Sequence, residues 1–346
     1  MKKGYVLLVL LLLLPAPLRA NDGFGGLTAT GLQFEQSTSV RMVSEDLFLS
    51  PGKIRVRYVF RNDGPAPVTG EVIFPLPPIS LAELADDMMF SLPREHLFRE
   101  NVVGFTAAVD GKAIAVGSER IAVLEPPPDE HRRSAARYET PGEDVTPLLN
   151  ELAVPLSLDA AKVTAILDEL PQPAKDRLQA KGVADFQAGE SPVPLWSIIV
   201  RYHWTQTFAA GREVRIEHGY TPAPPGGIFV WPEPGRDFDA YHRELIETYC
   251  LDAGSQKALA KLLRPRSGGP SVGTALQLDY VLTTATTWHG PIGTFRLTID
   301  KGQPANILSL CIDGIRKTGP TTFAVEKKGF IPTRDLRLLI VSGPEG

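Results

Sequence analysis

The sequence predicts a mainly β protein: two antiparallel β-sandwich-like domains, a helical insertion between them and a shorter helical segment inside the second. Three observations carry this expectation. Apolar and polar side chains alternate in short runs in both halves of the chain, and Gly and Pro punctuate those runs. Helical spacing of apolar residues is confined to the stretches near 157–181 and 238–263. The expected boundaries are 1–20 for a leader, 21–125 for the first sandwich, 126–190 for a polar stretch and helical insertion, and 191–346 for the second sandwich.

The leader has Lys2 and Lys3, an apolar run from Tyr5 to Leu14, Pro15 and Pro17, and a small residue, Ala20, before Asn21. This is the pattern of a secretory signal peptide cleaved after Ala20. Its run is shorter than the roughly 18 residues a membrane-crossing helix needs, and no cysteine stands nearby to take a lipid. The expected localisation is the periplasm or the secreted fraction, without stable membrane insertion after cleavage.

Cleavage leaves 326 of the 346 residues, enough for two domains with substantial cores. The whole chain has 36 basic and 40 acidic side chains, and removing Lys2, Lys3 and Arg19 moves the balance from -4 to -7. Mild acidity without a basic run argues against nucleic acid as a partner. Two cysteines remain, Cys250 and Cys311, and an oxidising compartment favours their joining. On the chain-entropy model a loop of that size is worth roughly 4 kcal/mol. Free thiols and a redox pair are the alternatives; the second lacks Cys-x-x-Cys spacing.

From Val40 to Phe74 the chain reads as antiparallel strands, with Ile54, Val56, Tyr58 and Phe60 on one face. Ser50-Pro51-Gly52-Lys53 and Asp110-Gly111 supply hairpin turns, and Asn62-Asp63-Gly64 ends a strand. Ser157 is the expected N-cap of a helix through Val163, Ile166, Leu167 and Leu170, followed by a second from Ala174 to Lys181 that Gly182 stops. In the second half Trp196, Ile198, Val200, Tyr202 and Trp204 form one apolar face, and Val214, Ile216, His218 and Tyr220 another. Pairing Phe208 with Arg212 around an Ala209-Ala210-Gly211 loop would put both sets on one side of a hairpin. Helices are expected around Phe238 to Tyr249 and Gln256 to Leu263, then strands at Leu276 to Thr283, Thr294 to Asp300, Ile307 to Ile312 and Leu336 to Val341.

Three patterns resemble catalytic or metal motifs. Gly269-Pro270-Ser271-Val272-Gly273, with Asp279 and His289 downstream, matches a hydrolase elbow in letters, but a proline-containing loop leads here into a strand instead of a helix. Ser50-x-x-Lys53 with Lys317-Thr318-Gly319 matches penicillin-binding enzymes, yet a Pro-Gly turn cannot stack the serine and lysine on one helical turn. His203, Glu217 and His218, and Asp237, Asp239 and His242, lack metal-ligand spacing; Asp237 and Asp239 read as helix caps. No catalytic residue, metal or cofactor is therefore expected. Trp231 and Trp288 lie in loop-like sequence, where they either stack on a carbohydrate or are buried at a sandwich end.

Several segments together resemble DUF4424, a domain-of-unknown-function family of bacterial exported proteins. They are Arg41 to Leu47, Val56 to Asn62, Phe74-Pro75-Leu76-Pro77, Tyr220-Thr221-Pro222, Asp279 to Thr284, Gly290-Pro291-Ile292 and Pro332 to Leu336. The resemblance covers the mature chain and implies no particular activity. The first domain alone, with its strand ending Arg61-Asn62, its Phe-Pro-Leu-Pro and Val103-Gly104-Phe105, is similar to the inter-alpha-trypsin-inhibitor amino-terminal module, which implies protein association.

The expected function is thus non-enzymatic association with an envelope protein or glycan. Arg41, Glu45, Asp46, Arg334 and Asp335, the charged positions within the resembling segments, are the candidate interaction residues; their other reading is a structural set of ion pairs and strand-end contacts. An envelope hydrolase with an unannounced site, and a carbohydrate or cell-wall binder using Trp231 or Trp288, are the alternatives.

Overall fold

The computed structural model describes residues 23–28, 31–84, 94–125, 142–222, 226–232, 237–264 and 272–344; the leader and Ser271 lie outside them. The first elements are β1 (Gly23–Thr28), β2 (Gly31–Phe34), β3 (Val40–Ser50), β4 (Lys53–Asn62), β5 (Val68–Pro75), β6 (Ile79–Ser80), α1 (Leu81–Leu84) and α2 (Arg94–Leu97). Next come β7 (Thr106–Val109), β8 (Lys112–Ile114), β9 (Gly117–Leu124), β10 (Glu143–Asp144), α3 (Thr146–Glu151), α4 (Ala160–Glu169) and α5 (Gln172–Ala180). They are followed by β11 (Ala184–Asp185), β12 (Val193–Pro194), β13 (Ser197–Phe208), β14 (Glu213–Tyr220), β15 (Gly226–Phe229), α6 (Ala240–Tyr249) and α7 (Ala253–Leu262). The last are β16 (Gly273–Tyr280), a 3-10 turn at Thr283–Thr287, β17 (Ile292–Asp300), β18 (Ile307–Leu310), β19 (Arg316–Lys317), β20 (Thr322–Phe330) and β21 (Leu336–Ser342).

The first sheet runs β10-β9-β13-β5-β1-β2, with β6 also on β13; the second runs β19-β20-β17-β3-β4-β14-β7-β8; the third runs β15-β16-β21-β18. β11 and β12 form a small ribbon. The mainly β, antiparallel class matches expectation, and among the described strands only β3 and β17 run parallel. Strands from 21–125 and 191–346 pair directly: β13 lies between β5 and β9, β14 between β4 and β7, and β17 beside β3. Local alternation dictates which face of a strand is buried, not which strand lies beside it, so pairings of this range leave no trace in a local pattern.

The same limit explains a correction at residues 209–211. Phe208 and Arg212 do not pair; β13 stays in the first sheet and β14 joins the second. The two apolar faces read from the sequence are both buried, but they meet as opposing layers. Gly211 does take the left-handed conformation, with φ +66°. Asn62 holds the crossover: its carbonyl accepts from Gly211 N at 2.8 Å, its amide donates to the Arg212 carbonyl at 3.3 Å, and its side chain donates to the Phe208 carbonyl at 2.9 Å.

The main core fills the space between these layers. Phe105 stacks on Tyr202 with ring centroids 4.4 Å apart, and Phe74 lies 4.7 Å from the His218 ring. The third sheet gives Leu278, Tyr280 and Leu338 to this core and turns Ala275, Leu339 and Val341 to a second cluster with Leu245, Tyr249 and Leu259 of α6 and α7. Burying each leucine or valine of this set contributes about 1.5–3 kcal/mol.

Caps set the helix starts. α4 begins two residues later than expected because Asp159, not Ser157, accepts from Lys162 N; the Ser157 hydroxyl accepts from Asp159 N instead. Asp239 and Asp252 cap α6 and α7 in the same way. The Ser50–Lys53 and Val109–Lys112 pairs confirm the two short hairpins, and Asp110 and Gly111 both have positive φ, as a type I′ turn demands. β20 lacks a sequence expectation of its own; its residues are half-buried or exposed throughout, which weakens the alternation signal.

Candidate functional site

The outer face of the second sheet opens into a concavity where one strand carries no side chain. Cross-strand register places Phe48, Arg55, Gly219 and Thr106 in a row over β3, β4, β14 and β7, and Asp46, Arg57, Glu217 and Ala108 in the next. Gly219 leaves the space between Arg55 and Thr106 unfilled, and a Cβ there would stand 3.2 Å from the Ile54 carbonyl. The result is a cavity of about 550 Å³ lined by Lys53, Arg55, Thr106, Ala108, Glu217 and Gly219, among others. A second, of about 320 Å³, shares Thr106, Ala107 and Ala113 with it and is also walled by Glu100, Asn101, Phe105, Ile114, Val116, Ser118 and Tyr202.

The charges around the larger cavity are unbalanced. Arg57 is spent on Glu217, Nε to Oε2 at 2.6 Å. Arg55 lies 5.7 Å from the Phe48 ring centroid, and neither it nor Lys53 has a carboxylate partner among the described residues. In the smaller cavity the Tyr202 hydroxyl donates to Asn101 Oδ1 at 3.0 Å, and burial pushes its pKa up to about 12, so it acts as a neutral donor.

The candidate residues chosen from the sequence do not gather at one place. Arg41 pairs with Asp63 at 2.5 Å, and Asp46 pairs with Arg296, which also holds Glu326 at 2.8 Å. Asp335 accepts from the amides of Leu282 and Thr283 at 2.8 and 2.9 Å, and Arg334 is exposed. Glu45 is wholly buried, where Tyr280 OH approaches its Oε1 at 3.5 Å. The cause is a bulge at Val43: Val40 and Met42 point inward before it, and Glu45, Leu47 and Leu49 after it, so Glu45 enters the core and Asp46 leaves it. Trp288 lies between Phe24, Phe60 and Phe208, and Trp231 packs on Phe229, Phe238 and His242; the core occupies both rings.

Cys250 and Cys311 form the disulfide, Cα to Cα 5.1 Å, tying the end of α6 to the third sheet beyond β18. Among the described residues no three His, Cys, Asp or Glu side chains gather to hold a metal ion. His203 and Glu71, which sequence reasoning did not join, form a pair on the first sheet: Nδ1 to Oε2 is 2.9 Å, and Thr205 donates to Oε1 at 2.5 Å. The threonine hydroxyl is thus directed at the carboxylate and not at the imidazole. Their spacing on alternate residues of β13, opposite Glu71 of β5, is visible only once β13 and β5 are paired.

A family model described as a domain of unknown function, DUF4424, matches residues 20–339. The chain belongs to that family. No curated protein matches this DUF4424 chain. A solved structure of a proposed nutrient binding protein from Legionella pneumophila subsp. pneumophila str. Philadelphia 1 is 16% identical to it, with 92% of this chain and 72% of the other covered and a TM-score of 0.42. No helix among the described residues of the DUF4424 chain is long and apolar enough to cross a membrane.

Proposed function

We propose that this is an exported protein of the periplasm or secreted fraction that acts by non-covalent association, with the concavity beside β7 and β8 as its ligand site. The observation that carries the reading is the cavity of about 550 Å³, of the size small-ligand sites have, with a small-residue floor and two uncompensated cations on its rim. Export is supported by the Lys2-Lys3 leader pattern and by the Cys250–Cys311 bridge, since disulfides persist in oxidising compartments.

Two measurements test this. Fractionation and amino-terminal sequencing are expected to find a chain beginning at Asn21 outside the cytoplasm; a cytoplasmic chain retaining Met1 overturns export. Thermal-shift screening against small-molecule and envelope-glycan collections is expected to yield ligands whose effect Ala108→Phe removes, because Ala108 faces the cavity between Glu217 and Ala113. Ligands unaffected by that substitution place the site elsewhere.

A further inference from the structure

Resting on that reading, we infer that the concavity selects an anion: a carboxylate or phosphate head held between Lys53 and Arg55 over Gly219, with a short, partly apolar body reaching the adjoining cavity. Three independent features converge on this. The head site has two cations and one acid, Glu217, whose charge Arg57 already meets at 2.6 Å, so an incoming anion finds net positive charge. Gly219 stands in register with Arg55 and Thr106, so the space where a side chain would lie is open to the ligand. The neighbouring cavity supplies apolar walls from Phe105, Ile114 and Val116, with Ser118 and the acid Glu100 as its polar groups, the Asn101 side chain being engaged by Phe105 and Tyr202; this suits a neutral, short aliphatic or amide-bearing body and keeps the anionic head at Lys53 and Arg55.

Arg55 is positioned for this task. Its guanidinium rests near the Phe48 ring, which leaves its in-plane N–H donors available for a bidentate contact with a planar carboxylate or a phosphate. Lys53, at the start of β4 beside the Pro51-Gly52 turn, contributes a mobile point charge. The hairpin that the sequence offered as a serine–lysine motif thereby acquires a role for its lysine without any catalytic serine: the Ser50 hydroxyl is engaged with Lys53 N at 3.0 Å.

Isothermal titration of the purified chain with N-acetyl-alanyl-leucine, its carboxamide and inorganic phosphate tests the inference. The carboxylate is expected to bind at least about tenfold more tightly than the amide, with an advantage that shrinks as salt rises and disappears in the Lys53→Gln/Arg55→Gln variant. Those two substitutions are on the outer face, and an unchanged melting temperature will show that the fold survives them. Competition by phosphate identifies a phosphate head as the accepted group, and its absence identifies the carboxylate. Equal binding of acid and amide, blocked by Ala108→Phe, overturns the anion inference and leaves the cavity as the binding site. Failure of every probe to bind, or binding that Ala108→Phe leaves intact, overturns both.

Discussion

The hydroxyl of Tyr58 on β4 meets that of Tyr280 on β16 at 3.1 Å, a polar contact between the second and third sheets deep in an apolar core. Both rings are fully buried, and Glu45 lies beside them. Removing either hydroxyl takes one hydrogen bond from the other inside an apolar core, so Tyr58→Phe and Tyr280→Phe are each expected to cost about 1 kcal/mol. Chemical denaturation of the singles and the double should show coupling of at least about 0.5 kcal/mol, the double costing less than the sum. Strict additivity would mean that the two hydroxyls are satisfied independently.

Asp335 gives a second expectation, because its Oδ1 receives two backbone amides at the start of the 3-10 turn. Asp335→Ala is expected to destabilise the fold by about 1–2 kcal/mol, and Asp335→Asn, which retains an acceptor oxygen, by less. Ligand affinity at the β7–β8 concavity should be unchanged in both. An effect on binding with no loss of stability would return Asp335 to a recognition role.

The Cys250–Cys311 bridge closes a separation of 61 residues. Reduction, or Cys250→Ser with Cys311→Ser, is expected to remove about 2–5 kcal/mol, read as a fall in the urea midpoint. The loss should be concentrated around α6 and β18, and hydrogen exchange there resolves it from a global effect.

Acid should weaken the protein through its carboxylates. The Arg41 guanidinium holds Asp63 below its ordinary 3.8, Arg177 holds Glu151 below its ordinary 4.5, and Lys328 and Arg296 do the same for Glu326. Backbone amides of α6 and α7 depress Asp239 and Asp252. Each pKa is lower folded than unfolded, so the unfolded chain binds protons first as pH falls. The stabilisation is complete above the ordinary carboxylate values and is lost as pH falls through the folded ones. Melting temperature should therefore be flat near neutrality and drop below about pH 4, with a smaller drop at high salt because these groups are exposed. A protein equally stable at pH 3 and pH 7 contradicts this.

Gly117 lies under His203: a Cβ there would stand 2.6 Å from the imidazole Nε2. Since Glu71 anchors the other ring nitrogen, the ring cannot yield without breaking that contact. Gly117→Ala is expected to cost about 1–3 kcal/mol and to shift the His203 ring resonances. A neutral substitution would show that the ring has room to turn.

What could be read from the sequence was local. The Ser50–Lys53 and Asp110–Gly111 turns, the inward faces of β4, β13 and β14, and the helical stretches depend on neighbours within a few residues, and all were legible. The cysteine pair was legible from composition and compartment. Which of its two readings Glu45 takes, interaction or structural, was not legible, because one inserted residue at Val43 reverses the in–out parity and carries it into the core, and the letters around it do not announce the insertion. The concavity was hidden for another reason: Arg55, Gly219 and Thr106 come from distant segments and become a row only through pairing.

The parallel contact of β3 with β17 also bears on time. Ser44 to Leu49 find their neighbours at Thr294 to Ile299, so a chain emerging from its amino terminus holds a half-made sheet until its last quarter follows. Non-local pairing of this kind makes folding slow. Until those residues arrive the edge of β3 that faces β17 has no strand beside it, and closure of the second sheet is a late event in folding.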